Sequence, residues 1–532
     1  MSVGRDQLPT FVSRPHRFVG SAKLIAALTL ASRVLGVVRE NAYAQFFGAS
    51  PLLSAFRIAF QIPNLARRLF GEGALTASFI PVFAQARADD GDVAARRLAG
   101  GVFTLLTAAL LALLAFGEGV LLVIWAWQPE PHPAVSLTIL LLPYMLLICL
   151  TAFFGGILNA EHRFAAPAIA PTILNVVLIS AVWGGGKLLD LDTHAHMRLV
   201  AWAALFAGVL QLGLQWVWLR SCGFRLAVNF DWRSPGVRRI MLLMAPMLIG
   251  MSALQINTFF DSMIAFFCVP DGRGPAILGY SQYASNLPLG FSARRSRRPF
   301  SRCWPGTTRR RITSDLRSVE AGLRTSLFVS VPAGVGLILV AQPLVRLLFE
   351  SELFTASDTD RVVLALRLYC LGIWSYAVQQ MLVRAFHSMQ NSRTPVRIAG
   401  TMVAVNFVLN LVLVHTRLWE AGVALATATT ATAQALILAY KLHGQLIGMR
   451  WRRVAQSMIK CAIATGLMGV AVWIVGGHSP VGAVLPQGDL KELLGCVVVG
   501  AGVYLAATWA LRMEEGAIIL GRRKSLEEAV AD

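Results

Sequence analysis

The sequence predicts an all-α polytopic membrane protein of about fourteen transmembrane helices, with both termini in the cytoplasm. Three observations predict it. Of the 532 residues, 56% are hydrophobic and 14% charged, with a mean hydropathy of +0.61. Ordinary soluble domains run about 45–50% apolar and about 25% charged, so a soluble enzyme of this length is excluded. The apolar residues also form long runs, such as Val102–Trp127 and Ala134–Ile157, that match a bilayer's thickness. Finally, the loops alternate in charge. Basic residues collect in both terminal tails and after spans two, six, ten and twelve, while Gln128–Pro133 has none and Glu350–Asp360 is acidic.

The elements follow in order. Residues 1–20 form a polar cytoplasmic tail with Arg5, Arg14 and Arg17, and do not resemble a cleavable signal peptide. An N-lobe over 21–219 holds spans at 21–48, 51–85, 101–127, 135–159, 165–187 and 198–219. A basic cytoplasmic linker, 220–238, carries Arg225, Arg233, Arg238 and Arg239. A C-lobe over 239–445 holds spans at 239–268, 274–312, 322–349, 361–390, 395–415 and 420–445. Two further spans lie within 456–512, and 513–532 is a cytoplasmic tail with Arg522, Arg523 and Lys524. The formal net charge of +20 is thus mainly a topology signal, and no nucleic-acid partner is expected.

A faint repeat supports the two lobes. LNAEHRFAAPAIAP followed by TILNVVLI, and FHSMQNSRTPVRIAG followed by TMVAVNFVLNLVL, each read helix, polar turn, proline, helix. Asn175 and Asn406 lie near the middle of the second helices. Two six-helix lobes in parallel repeat around a central cavity are a common transporter plan.

Charged residues inside the spans carry the functional signal. Arg33, Arg39, Glu40, Arg57, Arg67, Arg68 and Glu72 fall within the first two. An Arg near a helix centre costs about 2.5–3.5 kcal/mol on insertion, so the set must face water or one another. Arginines lining a cavity suit an anionic substrate, and guanidinium binds phosphate through two parallel hydrogen bonds. Pro63 directly precedes Asn64, where a break would turn backbone carbonyls toward the cavity. Asp261, mid-span in INTFFDSMIA, is a candidate ion or proton site or a partner for a cavity arginine.

Other chemistry is thin. Seven scattered cysteines form no C-x-x-C pair, and His194 and His196 read as solvated residues of a 187–198 loop, so no metal site is expected. There is no P-loop, G-x-S-x-G elbow or H-E-x-x-H motif, and no paired catalytic carboxylates in one loop. The chain reads as a transporter, not an enzyme.

Four segments resemble the MurJ (MviN) family of lipid II flippases. They are SRVLGVVRE, the F-x-I-PNLARRLFGEGALTASFIPVFA stretch, PLVRLLFE…FTASDT, and YAVQQMLVRAFHSMQNSRTPVRIA. The resemblance spans about residues 20–450. It implies a fourteen-helix inner-membrane exporter of two lobes. Such a protein moves the undecaprenyl-diphosphate-linked peptidoglycan precursor to the outer leaflet by alternating access. The diphosphate head group would enter the arginine-lined cavity while the polyprenyl tail stays in the bilayer. Carried over by motif, Arg33, Arg39 and Arg67 line that cavity, and Glu72 is the acidic partner. No cofactor is implied beyond membrane potential or a coupled cation, and other cell-wall synthesis proteins are further partners. The chain departs from the family pattern at Ser54, at Tyr283 where the family has an arginine, and at SELFT. Arg57 is a candidate replacement for the charge lost at Tyr283. Alternatives are a multidrug or oligosaccharide-lipid exporter of the same superfamily, a membrane scaffold of cell-wall synthesis, and a lipid-modifying enzyme. Arginines disfavour cationic drugs, and no catalytic constellation supports the enzyme.

Within the eighth span the sequence contradicts the fold. FSARRSRRPFSRCWPGTTRRRITSD places eight arginines between Arg294 and Arg311, too many for a helix facing lipid. The stretch reads as a basic cytoplasmic loop, as a clamp for anionic lipid or substrate, or as a local shift of reading frame over 291–311. The third reading explains most. One base earlier, the codons can spell VLGATLATAVFPVLARHY, which resembles the family's eighth helix.

Overall fold

The computed structural model describes residues 15–226, 228–287, 309–389, 391–445, 451–476 and 489–519. Every regular element among them is helical. In chain order these are α1 (Pro15–Phe47), α2 (Pro51–Ala66), a π-helical turn (Arg67–Gly73) and α3 (Ala74–Trp127). There follow α4 (Pro133–Leu141), α5 (Tyr144–Ala160), α6 (Ala165–Trp183), a second π-helical turn (Gly184–Leu188), α7 (Thr193–Ser221), α8 (Pro235–Cys268) and α9 (Gly274–Asn286). The remainder are α10 (Arg309–Leu339), α11 (Ala341–Phe349), α12 (Ala356–Cys370), α13 (Ile373–Ser388), α14 (Arg393–Val414), α15 (Glu420–Gln445), α16 (Trp451–Val475), α17 (Asp489–Ala510) and α18 (Glu514–Ile519). α3 is broken at Gly91, whose φ of 81° no helical residue adopts.

Ten helices, among the described residues, are long and apolar enough to cross a membrane. They coincide with the predicted spans from 101–127 through 198–219 and from 322–349 to the last. The predicted spans 21–48, 51–85 and 239–268 are helical too; the first two carry charged residues along their length, whereas 239–268 has only Arg239 and Asp261. Span 274–312 is helical to Asn286, and the helix resumes at Arg309. Apart from its last three residues, the arginine-rich 291–311 segment lies outside the described residues.

The chain forms two compact units that do not follow chain order. The first comprises the chain to Ala42, Ile62–Pro131 and Val135–Leu248. There α5 packs against α3, α6 and α7. Its centre is aromatic: Phe79 meets the edge of Phe153 at 5.3 Å, Phe103 stacks on Phe154 at 5.8 Å, and Phe154 lies 5.7 Å from Trp216. The outer half of α3 instead presents Leu111, Phe116, Leu122 and Trp125 outward, with only 6% of its apolar window buried. A helix bathed in lipid does this, because hydrocarbon solvates leucine as well as a protein core does.

The second unit comprises Tyr43–Gln61, His132–Ala134 and the described chain from Ile249. The turn joining α1 to α2 belongs to it. Gly48 sits at φ +59°, and a Cβ there would lie 2.2 Å from the Leu353 carbonyl oxygen, so only glycine fits. Tyr280 donates its hydroxyl to the Gly48 carbonyl at 3.0 Å, and the Ala276 N–H donates to Ser54 Oγ at 3.1 Å. α10 packs on α13 and α16, and Leu323, Leu327, Leu382, Phe386, Leu438 and Leu442 form one apolar cluster. Asp192 caps α7 in the first unit by accepting from the His194 and Ala195 N–H groups. His194 and His196 therefore open α7 instead of lying in a solvated loop. His196 is buried, with Nε2 2.9 Å from the Val182 carbonyl.

Candidate functional site

The charged residues of α1 divide by face. Arg33 and Arg39 are six residues apart, about 120° around a helix, so they point in different directions. Arg33 is exposed. Arg39 is largely enclosed, and its Nη2 donates to Glu40 at 2.7 Å while Nη1 donates to Asn175 Oδ1 at 2.8 Å. Asn175 in turn donates to the Ser32 carbonyl at 2.9 Å. Glu40 and Asn175 are 3% and 5% exposed, so α1 and α6 are joined through buried charge-assisted hydrogen bonds. The acidic neighbour offsets the cost of placing the guanidinium in apolar surroundings.

α2 runs through Pro63 without a break. The irregularity comes four residues later, as the π-helical turn Arg67–Gly73. This turn is the RRLFGEG core of the motif. A π-turn widens the helix by one residue per turn and is found chiefly at functional positions. Arg67 opens it, and its Nε donates to Asn64 Oδ1 at 3.3 Å, one turn back. Glu72 contributes backbone to the turn, and its side chain lies outside the described residues.

Arg57 belongs to the second unit, unlike Arg33, Arg39, Asn64, Arg67 and Glu72. Its guanidinium lies over the Tyr280 ring, 4.6 Å from the centroid. Gly279 makes the room: a Cβ there would stand 2.1 Å from Arg57 Nη1. Tyr283 follows Tyr280 by one turn of α9.

Asp261 is buried in the second unit, on α8. Its Oδ1 accepts from Asn410 Nδ2 at 2.6 Å, and its Oδ2 from Thr427 Oγ1 at 3.2 Å and Asn257 Nδ2 at 3.3 Å. Asn410 also donates to Asn406 Oδ1 at 2.9 Å, and Asn406 donates to Thr430 Oγ1 at 3.1 Å. α8, α14 and α15 thus meet at one carboxylate ringed by amides and hydroxyls. Asn410 Oδ1 is buried with no hydrogen-bond partner among the described residues. Carboxylate, amide and hydroxyl oxygens together are the donor set of a hard cation.

Sequence reasoning singled out Asp261 and noted Asn406 as a repeat marker, but not Asn257, Asn410, Thr427 or Thr430. The available signal was spacing. Asn406 and Asn410, and also Asn257 and Asp261, are four apart on apolar helices, so each pair shares a face. Among the described residues no group of histidine, cysteine and carboxylate side chains has metal-binding geometry.

The family model described as lipid II flippase MurJ matches residues 43–480. The probable lipid II flippase MurJ of Rhizobium tropici is 31% identical over 471 residues, covering 84% of this chain and 85% of that one. Its counterpart in Rhizobium meliloti strain 1021 is 30% identical over 518 residues, covering 92% of each. The lipid II flippase MurJ of Burkholderia cenocepacia is 28% identical, covering 92% and 96%. Among solved structures, a lipid II flippase MurJ in an inward closed conformation aligns with a TM-score of 0.72 at 22% identity, over 92% and 98% of the chains. An inward-facing multidrug MATE transporter aligns at 0.59 with 15% identity, over 82% and 98%. At such identities the structures speak to the fold alone.

Proposed function

Because the chain belongs to the MurJ family of lipid II flippases, we propose that it carries lipid II across the bilayer by alternating access through an arginine-lined cavity. It is a multi-pass protein of the bacterial inner membrane. The observation that carries the reading is the placement of arginines within otherwise apolar helices of a chain matching the family model over residues 43–480. Arg33 and Arg67 would receive the diphosphate, since a guanidinium pairs two phosphate oxygens at once, while Arg39, held by Glu40 and Asn175, would add its charge from the cavity wall. Neutralising the phosphates lowers the cost of holding a polar head at mid-bilayer, while the polyprenyl tail remains in hydrocarbon. Asn64 and Glu72 would orient Arg67, and Arg57 would restore a cationic charge near Tyr283. A coupled cation would take the place of the hydrogen bonds that Asn410 and Thr427 give the Asp261 carboxylate, and the buried Asn410 Oδ1 is an oxygen that could turn toward it. The full reading has fourteen helices in two repeated lobes and two C-terminal helices, with both termini in the cytoplasm.

The test is rescue of a bacterium depleted of its own lipid II flippase. Growth with this chain, at normal levels in the membrane, is the expected result. Failure to grow, with the protein inserted and folded, would refute the assignment.

A further inference from the structure

In the second unit, α10, the first turns of α16 and the junction of α17 with α18 enclose a pocket of about 210 Å³. Arg324, Arg453, Lys460 and Arg512 line it, with Glu514 and Glu515. Both carboxylates are already engaged. Glu515, 1% exposed, accepts from Arg324 Nε at 2.7 Å and from Ser457 Oγ at 2.6 Å, and Glu514 accepts from Arg324 Nη2 at 3.0 Å. Arg324 thereby serves the two acids, and Lys460 gives one of its protons to the Leu511 carbonyl at 2.9 Å. The pocket keeps an excess of positive charge, and two of its four cationic residues, Arg453 and Arg512, are exposed.

Arg512 supplies a second, independent observation. The Arg512 N–H bonds the Trp509 carbonyl and the Met513 N–H bonds the Thr508 carbonyl, which is the pattern that closes a helix through a left-handed residue. Arg512 is that residue, at φ +50°. Glycine takes this position without strain, and an arginine does not. The position thus brings to the pocket's lining a charge that the unstrained glycine would not.

Position selects the class of ligand. α16 and α17 both cross the membrane, Arg453 is the third residue of α16, and Arg512 follows the end of α17 by two residues. The pocket therefore opens at the bilayer's edge. Its volume is below the roughly 300–1,000 Å³ of sites that enclose whole organic ligands, and suits a phosphate with the atoms next to it. We propose that this pocket binds the phosphate of an anionic phospholipid head group, anchoring the C-terminal helices to the leaflet that α16 enters.

The experiment measures phosphatidylglycerol and phosphatidylcholine retained on the full chain by native mass spectrometry. Expected is preferential retention of phosphatidylglycerol, weakened about 25-fold by Arg453→Ala with Arg512→Gly, at about fivefold per cation. Arg512→Gly relieves the backbone, so a melting temperature no lower than the wild type's separates lost charge from lost fold. Arg452→Ala with Lys441→Ala removes the same charge outside the pocket, and should leave retention within about twofold because neither side chain lines the pocket. Equal weakening by both pairs, or none by the first, overturns the proposal. Glycerol 1-phosphate is titrated against lipid-free protein. Binding as tight as the lipid's, abolished by the first pair, would make the ligand a soluble phosphate and overturn the lipid assignment.

Discussion

Asn175 on α6 and Asn406 on α14 occupy matching places in the sequence repeat, yet they serve opposite charges. Asn175 turns its carbonyl oxygen to the Arg39 guanidinium. Asn406 turns its carbonyl oxygen to Asn410, whose amide then donates to the Asp261 carboxylate. An asparagine side chain carries both a donor and an acceptor, so one residue type can stabilise a buried cation in one place and a buried anion in another. The repeated helix pattern thus leaves the sign of the site open. That sign is set by which charged residue a neighbouring helix, α1 or α8, delivers to the asparagine.

The sharpest way to break this comparison is to remove each charge. Arg39→Ala takes away the guanidinium that neutralises Glu40, and breaking a buried pair from one side costs roughly 3–5 kcal/mol. Thermal unfolding in detergent should show that loss, and Arg39→Ala with Glu40→Gln should recover most of it. If the single variant were as stable as the double, the stranded Glu40 carboxylate would not be the source of the loss. Asp261→Ala should cost about 1–3 kcal/mol by stranding buried amide and hydroxyl donors. Asp261→Asn should fold but lose any cation-dependent gain in melting temperature. A gain equal to the wild type's would remove the cation from this site.

Exchange of the asparagines sharpens the contrast. Asn175→Asp sets a second carboxylate against Arg39 and loses the N–H given to the Ser32 carbonyl, so it should destabilise, but less than Asn406→Asp, which adds negative charge near Asp261 with no cation beside it. Equal losses of melting temperature would show that the two clusters do not differ in sign.

Smaller effects on stability, with large effects on transport, are expected in the π-turn. Arg67→Ala and Arg33→Ala should abolish rescue at near-normal membrane levels, and Arg67→Lys should act only partly, because a point charge replaces a planar fork. Glu72→Gln should do less harm than either. Full growth of both alanine variants would remove these arginines from the site.

The smallest effect belongs to the loop joining α8 to α9. Burial alone would raise the Asp271 carboxyl, but hydrogen bonds from Arg361 and the Arg273 backbone N–H hold it below the usual range. A lowered carboxyl contributes fully above its unfolded value, about 3.9, and loses that contribution progressively as pH falls through its lower folded value. Asp271→Asn should therefore lower the melting temperature slightly at neutral pH and progressively less in acid. A deficit that persisted undiminished in acid would show that the ion pair is not its source.

Much of this was legible in advance wherever the cause was local. Long apolar runs specify helices, and arginines inside them mark places where something other than lipid must be met. Arg39 could be suspected from its neighbours alone, but its partner Asn175 is 136 residues away, and no local pattern encodes that meeting. Pro63 drew attention to the correct helix and to the wrong turn, because the departure from regular geometry depends on how the RRLFGEG segment packs against α5. Arg57 looked like one more member of a cationic series. Its packing on Tyr280 depends on the absent side chain of Gly279, which matters only once α2 and α9 meet.

The sequence by itself determined that the chain is helical, that it lives in a membrane, that its buried charge is mainly cationic near the N-terminus, and that its motifs are those of a lipid II flippase family. These follow from composition, period and spacing, which act within a helix or a loop. Only the tertiary structure decided which charge each asparagine serves, that Arg57 belongs with α9, and that Asp261 gathers donors from α14 and α15. The physical reason is the cost of a buried charge. An unpaired ion in an apolar medium is so unfavourable that its partners must be found wherever the fold can bring them, and distance along the chain has no bearing on the choice.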